Sequence, residues 1–161
     1  MPAIAARSED EEFQAVLQGE DELGVVVRAH IYIESSLNTL LESLLVSPKH
    51  LEKMNLDFSQ RVSLSVALGL RPQYESPLLA LGTLRNHFAH RTGTKLSKDK
   101  VNNLYAALSS EDKTLVQQSH ERTRKKLKTE TKIQSFNRLM PKAQFILIAV
   151  VLRALLLILN P

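Results

Sequence analysis

The sequence predicts an all-α protein, folded as a single-domain bundle of about six to eight helices. Apolar residues recur at positions i, i+3, i+4 and i+7, which is the spacing of a helix that buries one face. Valines and isoleucines follow this helical spacing rather than the alternation of a strand, and 5 glycines and 6 prolines leave few hairpin turns. A chain of 161 residues is long enough to bury about two-thirds of its unfolded surface in one domain.

The N-terminal segment differs from the rest of the chain in charge. Residues 1–23 contain one basic and seven acidic side chains, a net charge of −6, while the remainder contains 20 basic and 10 acidic ones, a net charge of +10. We expect residues 1–19 to be an acidic leader with a short helix over residues 9–18, and residues 20–161 to be the helical domain. An acidic leader on a basic body is compatible with a nucleic-acid partner, or with a leader that folds back on the basic surface.

The first helices of the body have recognisable ends. Asp21 is expected to cap a long amphipathic helix that runs to about Val46, since a carboxylate at this position accepts a hydrogen bond from the first turn. Residues 57–68 form the next helix. Gly69 follows it and is suited to the positive φ with which many helices end.

Serine and proline predict where the middle helices begin. Ser76–Pro77 indicates a start with serine as the cap and proline at the first helical position, and this helix extends to about His90. A shorter helix covers residues 97–108. Ser110 is then expected to cap a polar helix that runs into the basic residues 122–128.

The last helix is expected to lie in the core or in a dimer contact. It starts at Pro141 and is apolar on nearly all sides, but Arg153 divides it into uncharged runs of about half the ~20 residues that a membrane span needs. Arg153 itself requires an acidic partner or the protein surface, because an isolated buried charge is prohibitively costly. The chain has no cysteine and its N-terminus lacks the pattern of a signal peptide, so we expect a cytoplasmic protein without a membrane partner.

The stretch "LRNHFAHRTG", residues 84–93, concentrates polar and proton-handling groups on one helix. Arg85 supplies a permanent cation with a planar donor fork suited to phosphate. His87 and His90 can accept or donate a proton near neutral pH. Asn86 lies one turn before His90, where its amide can hydrogen-bond the ring. These four residues are our candidate catalytic set.

Two interpretations of this stretch remain open at the level of the residues. In the structural one, Arg85 pairs with a helix C-terminus or a carboxylate, His87 faces water and His90 caps the helix end. In the functional one, Arg85 and His90, about 140° apart around the helix, flank a surface that a second helix closes. We expect both groups to project into one accessible, positively charged groove. Such a site cuts RNA without metal, because a neutral histidine takes the 2′-hydroxyl proton, arginines hold the phosphate and a second histidine protonates the leaving oxygen.

The segment "RNHFAH" resembles the Arg-x4–6-His signature of the HEPN superfamily, in which a polar residue commonly follows the arginine, as Asn86 does here. The resemblance implies a helical bundle that dimerises, and many active members are metal-independent ribonucleases. It places the signature on Arg85 and His90. Toxin or defence ribonucleases of this type imply an antitoxin or regulatory protein as partner.

A longer resemblance joins three segments: "DFSQRVSLSVALGL" (57–70), "LLALGTLRNHFAH" (78–90) and "MPKAQFILIAVVLRALL" (140–156). In order and spacing they are similar to the mannitol operon repressor-like family over about residues 20–160. The resemblance implies a transcriptional regulator that lacks a recognisable helix-turn-helix. Many relatives of the named repressor lack a complete Arg-x4-His, which this chain retains.

His30 and Glu34 are candidate supporting residues. They lie one turn apart on the core-facing side of the second helix, where Glu34 can orient Arg85 or a histidine if that helix packs against residues 77–90. The alternative is a buried polar pair that satisfies itself. A third metal ligand at suitable spacing is missing from the pattern, so we expect no metal and no other cofactor.

A basic run near the C-terminal third is the candidate nucleic-acid-binding segment. It comprises Arg122, Arg124, Lys125, Lys126 and Lys128, within a stretch from Lys113 to Lys142 that holds nine basic residues and two acids. Such a run is either a solvated helix face or a surface for a phosphate backbone held through salt-sensitive contacts.

Three functional hypotheses follow. We place first a nucleic-acid-linked regulatory protein, similar to the mannitol operon repressor-like family. The second is a metal-independent endoribonuclease of HEPN type that uses Arg85 and His90, with Asn86 and His87 in support. The third is a dimeric interaction scaffold. In all three we expect a homodimer, with RNA or DNA as partner in the first two.

Overall fold

The computed structural model describes residues 2–126 and 135–159, and these residues form helices joined by short turns and loops; side chains are described over residues 9–125 and 135–159. The α-helices of this part of the chain are α1 (Pro2–Gln18), α2 (Glu22–Leu44), α3 (Phe58–Ala67), α4 (Glu75–His90), α5 (Lys98–Ala107), α6 (Ser110–Lys126) and α7 (Pro141–Ile158). Short 3-10 helices cover residues 48–50, 52–54, 72–74 and 136–138. The predicted all-α class is confirmed, since the two described ranges contain no strand.

Helices α2 and α7 form the centre of the bundle. The Asp21 carboxylate accepts a hydrogen bond from the Gly24 amide at 2.6 Å, so α2 begins where the cap predicted it. Pro141 occupies the first turn of α7, as predicted. Helix α2 contacts α1, α3, α4 and α7, and α7 also contacts α5 and α6. Among the described residues α7 is the one helix long and apolar enough to cross a membrane, and 56% of it is buried inside the bundle.

The acidic leader packs against the body as helix α1, which is longer than the expected 9–18. Phe13 and Leu17 are buried in the core, where α1 contacts α7. The Lys142 ammonium donates to the carbonyl oxygens of Gln18 and Glu20 and so closes the C-terminal end of α1 against the start of α7. The leader therefore folds back on the helical body.

Helix α3 has a complete capping box. The Asp57 carboxylate accepts from the Gln60 amide at 2.9 Å, and the Gln60 side chain accepts from the Asp57 amide at 2.9 Å. The helix gives way to Gly69, whose φ of 118° is accessible to glycine and strained for other residues.

Two predicted caps are wrong by one or two positions. A 3-10 turn over Pro72–Tyr74 leads directly into α4 at Glu75, so Ser76 is not the cap and Pro77 lies within the first turn, where a missing N–H still costs nothing. In α6 the cap is Ser109 rather than Ser110, since the Ser109 hydroxyl accepts from the Asp112 amide at 3.1 Å. Each helix nevertheless exists where it was expected.

Candidate functional site

Helix α4 presents the residues of the Arg-x4-His stretch to its surroundings in different ways. Its apolar side is buried against α2, α3 and α5 through Leu78, Leu81, Leu84 and Phe88. On the remaining positions Arg85 and His87 are half-buried, and Asn86 and His90 are exposed.

Arg85 and Asn86 line a cavity of about 490 Å³ between α3 and α4. Asp57, Ser59 and Thr83 supply the other polar groups of its wall. Gly82 allows α4 to approach the ring of Phe58, because a Cβ atom at position 82 would lie 2.9 Å from the Phe58 Cδ1 atom. We call this space the Arg85 cavity.

The guanidinium of Arg85 has no direct counter-ion among the described residues. No carboxylate oxygen there lies within 4.0 Å of it, and its Nε atom is shielded from solvent without a hydrogen-bond partner. Asp57, on the same wall, is engaged as the cap of α3: it accepts from the Gln60 amide and, at 2.8 Å, from the Ser59 hydroxyl, and these bonds hold its pKa below the usual range. The fold thus holds a half-buried cation and leaves its charge uncompensated at short range.

His30 lies next to this site and is neutral at neutral pH. Its side chain is buried in α2, and its ring centroid lies 4.3 Å from that of Phe58, which lines the Arg85 cavity. Burial, and after it the positive charge of Arg85, lowers the His30 pKa to about 4. The Nδ1 atom is 3.7 Å from the Glu34 Oε2 atom, too far for a hydrogen bond, and Nε2 has no partner among the described residues. Glu34 thus lies beside His30 without forming an ion pair with it at neutral pH.

The two histidines of α4 line other cavities. His87 faces a cavity of about 350 Å³ with Lys100 and Asn103 of α5, and His90 faces one of about 450 Å³ beside Leu23 and the loop after α4. Positions 85, 87 and 90 project in different directions because successive residues turn by about 100° around a helix. Within one chain, therefore, Arg85 and His90 do not share the groove that we expected.

The basic run is divided by the structure. Arg122 and Lys125 line a cavity of about 500 Å³ together with Lys113 and Tyr105. Arg124 instead forms an ion pair with Glu121 at 2.8 Å. The side chain of Lys126 and the whole of Lys128 lie outside the described residues.

Arg153 has the acidic partners that its position in α7 requires. Its guanidinium lies 3.5 Å from Asp10 and 3.9 Å from Glu9, both on α1. It also stacks near the rings of Phe13 and Tyr32, at 5.0 and 5.7 Å from their centroids. This arginine attaches α1 to α7.

The structure adds residues that the sequence did not single out. Ser59 and Thr83 line the Arg85 cavity. Lys113 lines the cavity of Arg122 and Lys125, and its ammonium donates a hydrogen bond to the Ala106 carbonyl. The capping pattern at Asp57 was a sequence signal for Ser59, because it fixes where α3 starts beside the Arg85 cavity. No group of three or more potential metal ligands occurs among the residues whose placement is described.

The comparisons with known proteins add no relative: no protein-family model matches the sequence, and no curated protein or solved structure matches it.

Proposed function

We propose that this protein is a cytoplasmic, nucleic-acid-linked regulatory protein that binds a phosphodiester group at Arg85. The observation that carries the proposal is the half-buried guanidinium, which has no counter-ion among the described residues and lies beside an open cavity. A cation taken partly out of water needs a compensating anion, and the guanidinium fork matches phosphate in shape and donor geometry. The function agrees with the resemblance to the mannitol operon repressor-like family.

The walls of the Arg85 cavity are suited to an oxyanion. The Thr83 hydroxyl and the Asn86 amide are exposed donors on the same stretch of α4 as Arg85. Asp57 is the one acid of this wall, and its carboxylate is already occupied by its capping bonds. His30 is neutral behind Phe58 and adds no competing charge.

The same geometry favours binding over cleavage within one chain. A general base must reach the proton that it removes, at about 3 Å or through one water. His90 and His87 line cavities other than that of Arg85. A phosphate held by Arg85 therefore has no histidine of the motif beside it in the same chain.

Fluorescence anisotropy with labelled RNA and duplex DNA, in chelator, tests the proposal. Arg85→Gln removes the charge, and we expect binding to weaken about ten- to a hundredfold, as for loss of a charge-assisted hydrogen-bonded contact. Lys49→Gln, at an exposed lysine of the first 3-10 helix, removes the same charge away from both basic surfaces; it is the matched control and should bind like the wild type. Equal affinity of the two variants would contradict the role of Arg85.

A second candidate is a metal-independent endoribonuclease of toxin or defence type, built from two chains. The specific observation in its favour is that Asn86 and His90 are exposed on α4, beside an uncompensated Arg85, so a second copy of α4 can bring its own histidine to this arginine. The homodimer then supplies both the phosphate-binding group and the proton-transfer group.

Mixing two inactive variants distinguishes this enzyme from the regulator. Arg85→Ala and His90→Ala should each fail to cut RNA in chelator, and an equimolar mixture should regain part of the activity if the site combines Arg85 of one chain with His90 of another. Wild-type protein that binds nucleic acid without cutting it supports the regulator. Wild-type protein that does neither supports the interaction scaffold.

A further inference from the structure

The outer side of α6 forms, with Tyr105 of α5, a second basic cavity separate from the Arg85 cavity. Its volume is about 500 Å³, and its cations are Lys113, Arg122 and Lys125. We call these three side chains and Tyr105 the α6 basic face. Every position that α6 contributes to this cavity is polar, which distinguishes it from the apolar face of a membrane-surface helix.

The charge of the α6 basic face is positive, and no ion pair within the part of the chain that has described side chains neutralises it. Glu121 is the one acid that lines the cavity, and Arg124 binds its carboxylate at 2.8 Å from outside the cavity wall. Among the residues with described side chains, no carboxylate lies within 4.0 Å of Lys113, Arg122 or Lys125. The buried Asp112 at the start of α6 accepts bonds from Ser109 and Gln73 and does not face the cavity.

The face is held in place by neighbouring contacts. The Tyr105 ring packs against Phe136 at 5.1 Å between centroids, and its hydroxyl oxygen accepts from the Gln117 amide at 3.1 Å, which leaves the phenolic proton free to donate. The Lys113 ammonium donates to the Ala106 carbonyl and lies 5.7 Å from the Tyr105 centroid. These contacts fix one end of the face before any partner arrives.

The length of the face fits a nucleic-acid strand. Positions 113 and 125 are separated by about 18 Å along a helix that rises 1.5 Å per residue. One strand of a B-form duplex presents about five phosphates over that distance, at 3.4 Å each. Lys125 and Arg122 lie about 120° and about 180° around α6 from Lys113, so the three cations form a broad patch over one half of the helix. Such a patch binds the backbone through release of counterions, with little dependence on base sequence.

We infer that the α6 basic face is a second nucleic-acid contact, which holds the phosphate backbone through Lys113, Arg122 and Lys125 while Arg85 holds a phosphate elsewhere. The inference rests on the proposed function, since it takes a nucleic acid as the partner. It also selects among the residues of the basic run: Arg122 and Lys125 bind the backbone, and Arg124 does not.

Anisotropy titrations with labelled single-stranded RNA and duplex DNA at several salt concentrations test this inference. Arg122→Gln/Lys125→Gln should weaken binding at low salt and reduce the slope of log affinity against log salt by about two, one for each lost phosphate contact. Lys49→Gln/Lys53→Gln is the matched control, since both lysines are exposed on 3-10 helices and the charge change is the same. The control should keep the wild-type slope.

A gain-of-binding variant guards against loss through misfolding. Glu121→Gln removes the one acid of the cavity and should tighten binding severalfold, which a destabilised protein would not do. Equal salt slopes for the α6 variant and the lysine control overturn the inference. Vesicles of anionic phospholipid that compete fully with the labelled strands at equal phosphate also overturn it, in favour of a membrane surface.

The two proposals fail in different ways. Loss of binding in Arg85→Gln with an unaffected α6 variant overturns the α6 basic face and retains the proposed function. The reverse pattern retains the face and removes Arg85 from the binding site. A wild-type protein that binds neither nucleic acid overturns both.

Discussion

Arg85 and Arg153 are two arginines in similar degrees of burial with opposite surroundings. Arg153, whose side chain is 12% exposed, has Asp10 and Glu9 within 4.0 Å and two aromatic rings within 6 Å. Arg85 has no carboxylate within that distance among the described residues, a shielded Nε without an acceptor and an open cavity beside it. The same side chain is therefore neutralised by carboxylates in one place and has no such partner among the described residues in the other.

The comparison also shows what compensation achieves. Burial raises the pKa of Asp10 even though Arg153 works in the opposite direction, so the ion pair does not fully repay the desolvation of its own carboxylate. Arg153 joins α1 to α7 through charge and ring contacts together. Arg85 has neither kind of contact among the described residues, so we expect its removal to leave the stability of the fold nearly unchanged and to weaken the binding of a ligand.

The largest expected effect on stability concerns His30, whose pKa is lowered in part by the positive charge of Arg85. Its pKa is about 4 in the folded state and about 6.5 in the unfolded chain, so between these values the unfolded chain binds a proton that the folded one does not. The contribution of His30 to the free energy of unfolding should therefore be fully present above pH 6.5. It should fall by roughly 3 kcal/mol as the pH is lowered from 6.5 to 4. Urea unfolding of wild type and His30→Leu at pH 7 and 4.5 measures it. The raised pKa of Asp10 changes the free energy of unfolding with pH in the opposite direction, but equally in both proteins, so it cancels in the comparison. Parallel pH dependences of the two proteins would contradict the lowered pKa of His30.

Next comes the attachment of α1. Arg153→Met keeps the volume of the side chain and leaves Asp10 and Glu9 without their partner, and we expect a loss of about 2 kcal/mol in the free energy of unfolding. The loss is smaller than for a fully buried pair because both carboxylates retain some contact with water. Denaturant unfolding at neutral pH provides the value. An unchanged midpoint would remove Arg153 from the contacts that hold α1.

A smaller effect is expected at the wall of the Arg85 cavity. In Gly82→Ala the new methyl group meets the Phe58 ring at 2.9 Å, and this ring is itself packed on His30. Overpacking costs about 1–3 kcal/mol and the gain in helix propensity returns about 1, so a net loss of about 1 kcal/mol should appear in thermal or denaturant unfolding. In a Phe58→Leu background the same substitution should lose its penalty. A stabilised Gly82→Ala protein would contradict this and show that the Phe58 ring moves aside without cost.

The smallest expected change in stability is at Arg85 itself. Arg85→Met removes a half-buried charge that no carboxylate neutralises, so the free energy of unfolding should stay within about 0.5 kcal/mol of wild type or rise. The His30 pKa, followed by nuclear magnetic resonance of the ring, should rise in this variant but remain below 6.5, since burial is the larger cause of its depression. A loss of stability as large as that of Arg153→Met would mean that Arg85 belongs to the fold.

Much of the fold could be predicted because local sequence decides it. The cap at Asp21 and the proline that opens α7 act within one helical turn, and the structure confirms both. The caps expected at Ser76 and Ser110 were wrong. A 3-10 turn leads into α4 before Ser76, and the adjacent Ser109 caps α6, so the flanking structure determines both starts. For Arg153 the sequence predicted an acidic partner or the protein surface; tertiary packing decided that the partner is acidic and lies on α1.

The candidate site shows the limit of the same reasoning. The chemistry of Arg85 followed from its side chain, and the angle of about 140° to position 90 followed from helix geometry. Which cavity each residue lines depends on α3, α5 and the loop after α4, which the spacing of residues does not report. The α6 basic face likewise required Tyr105 of α5 to lie beside Lys113 and Arg122 of α6, which the spacing of residues does not report.

The closure of α1 on α7 determines the order in which the molecule can be completed. Lys142 reaches back over 124 positions to the Gln18 carbonyl, and Phe13 and Leu17 have their final neighbours on a helix that is synthesised last among those described. During translation the acidic helix can pack only on α2, and its α7-facing side stays accessible to chaperones and proteases until α7 has left the ribosome. The slowest step of assembly should accordingly be this long-range docking, rather than the formation of any single helix.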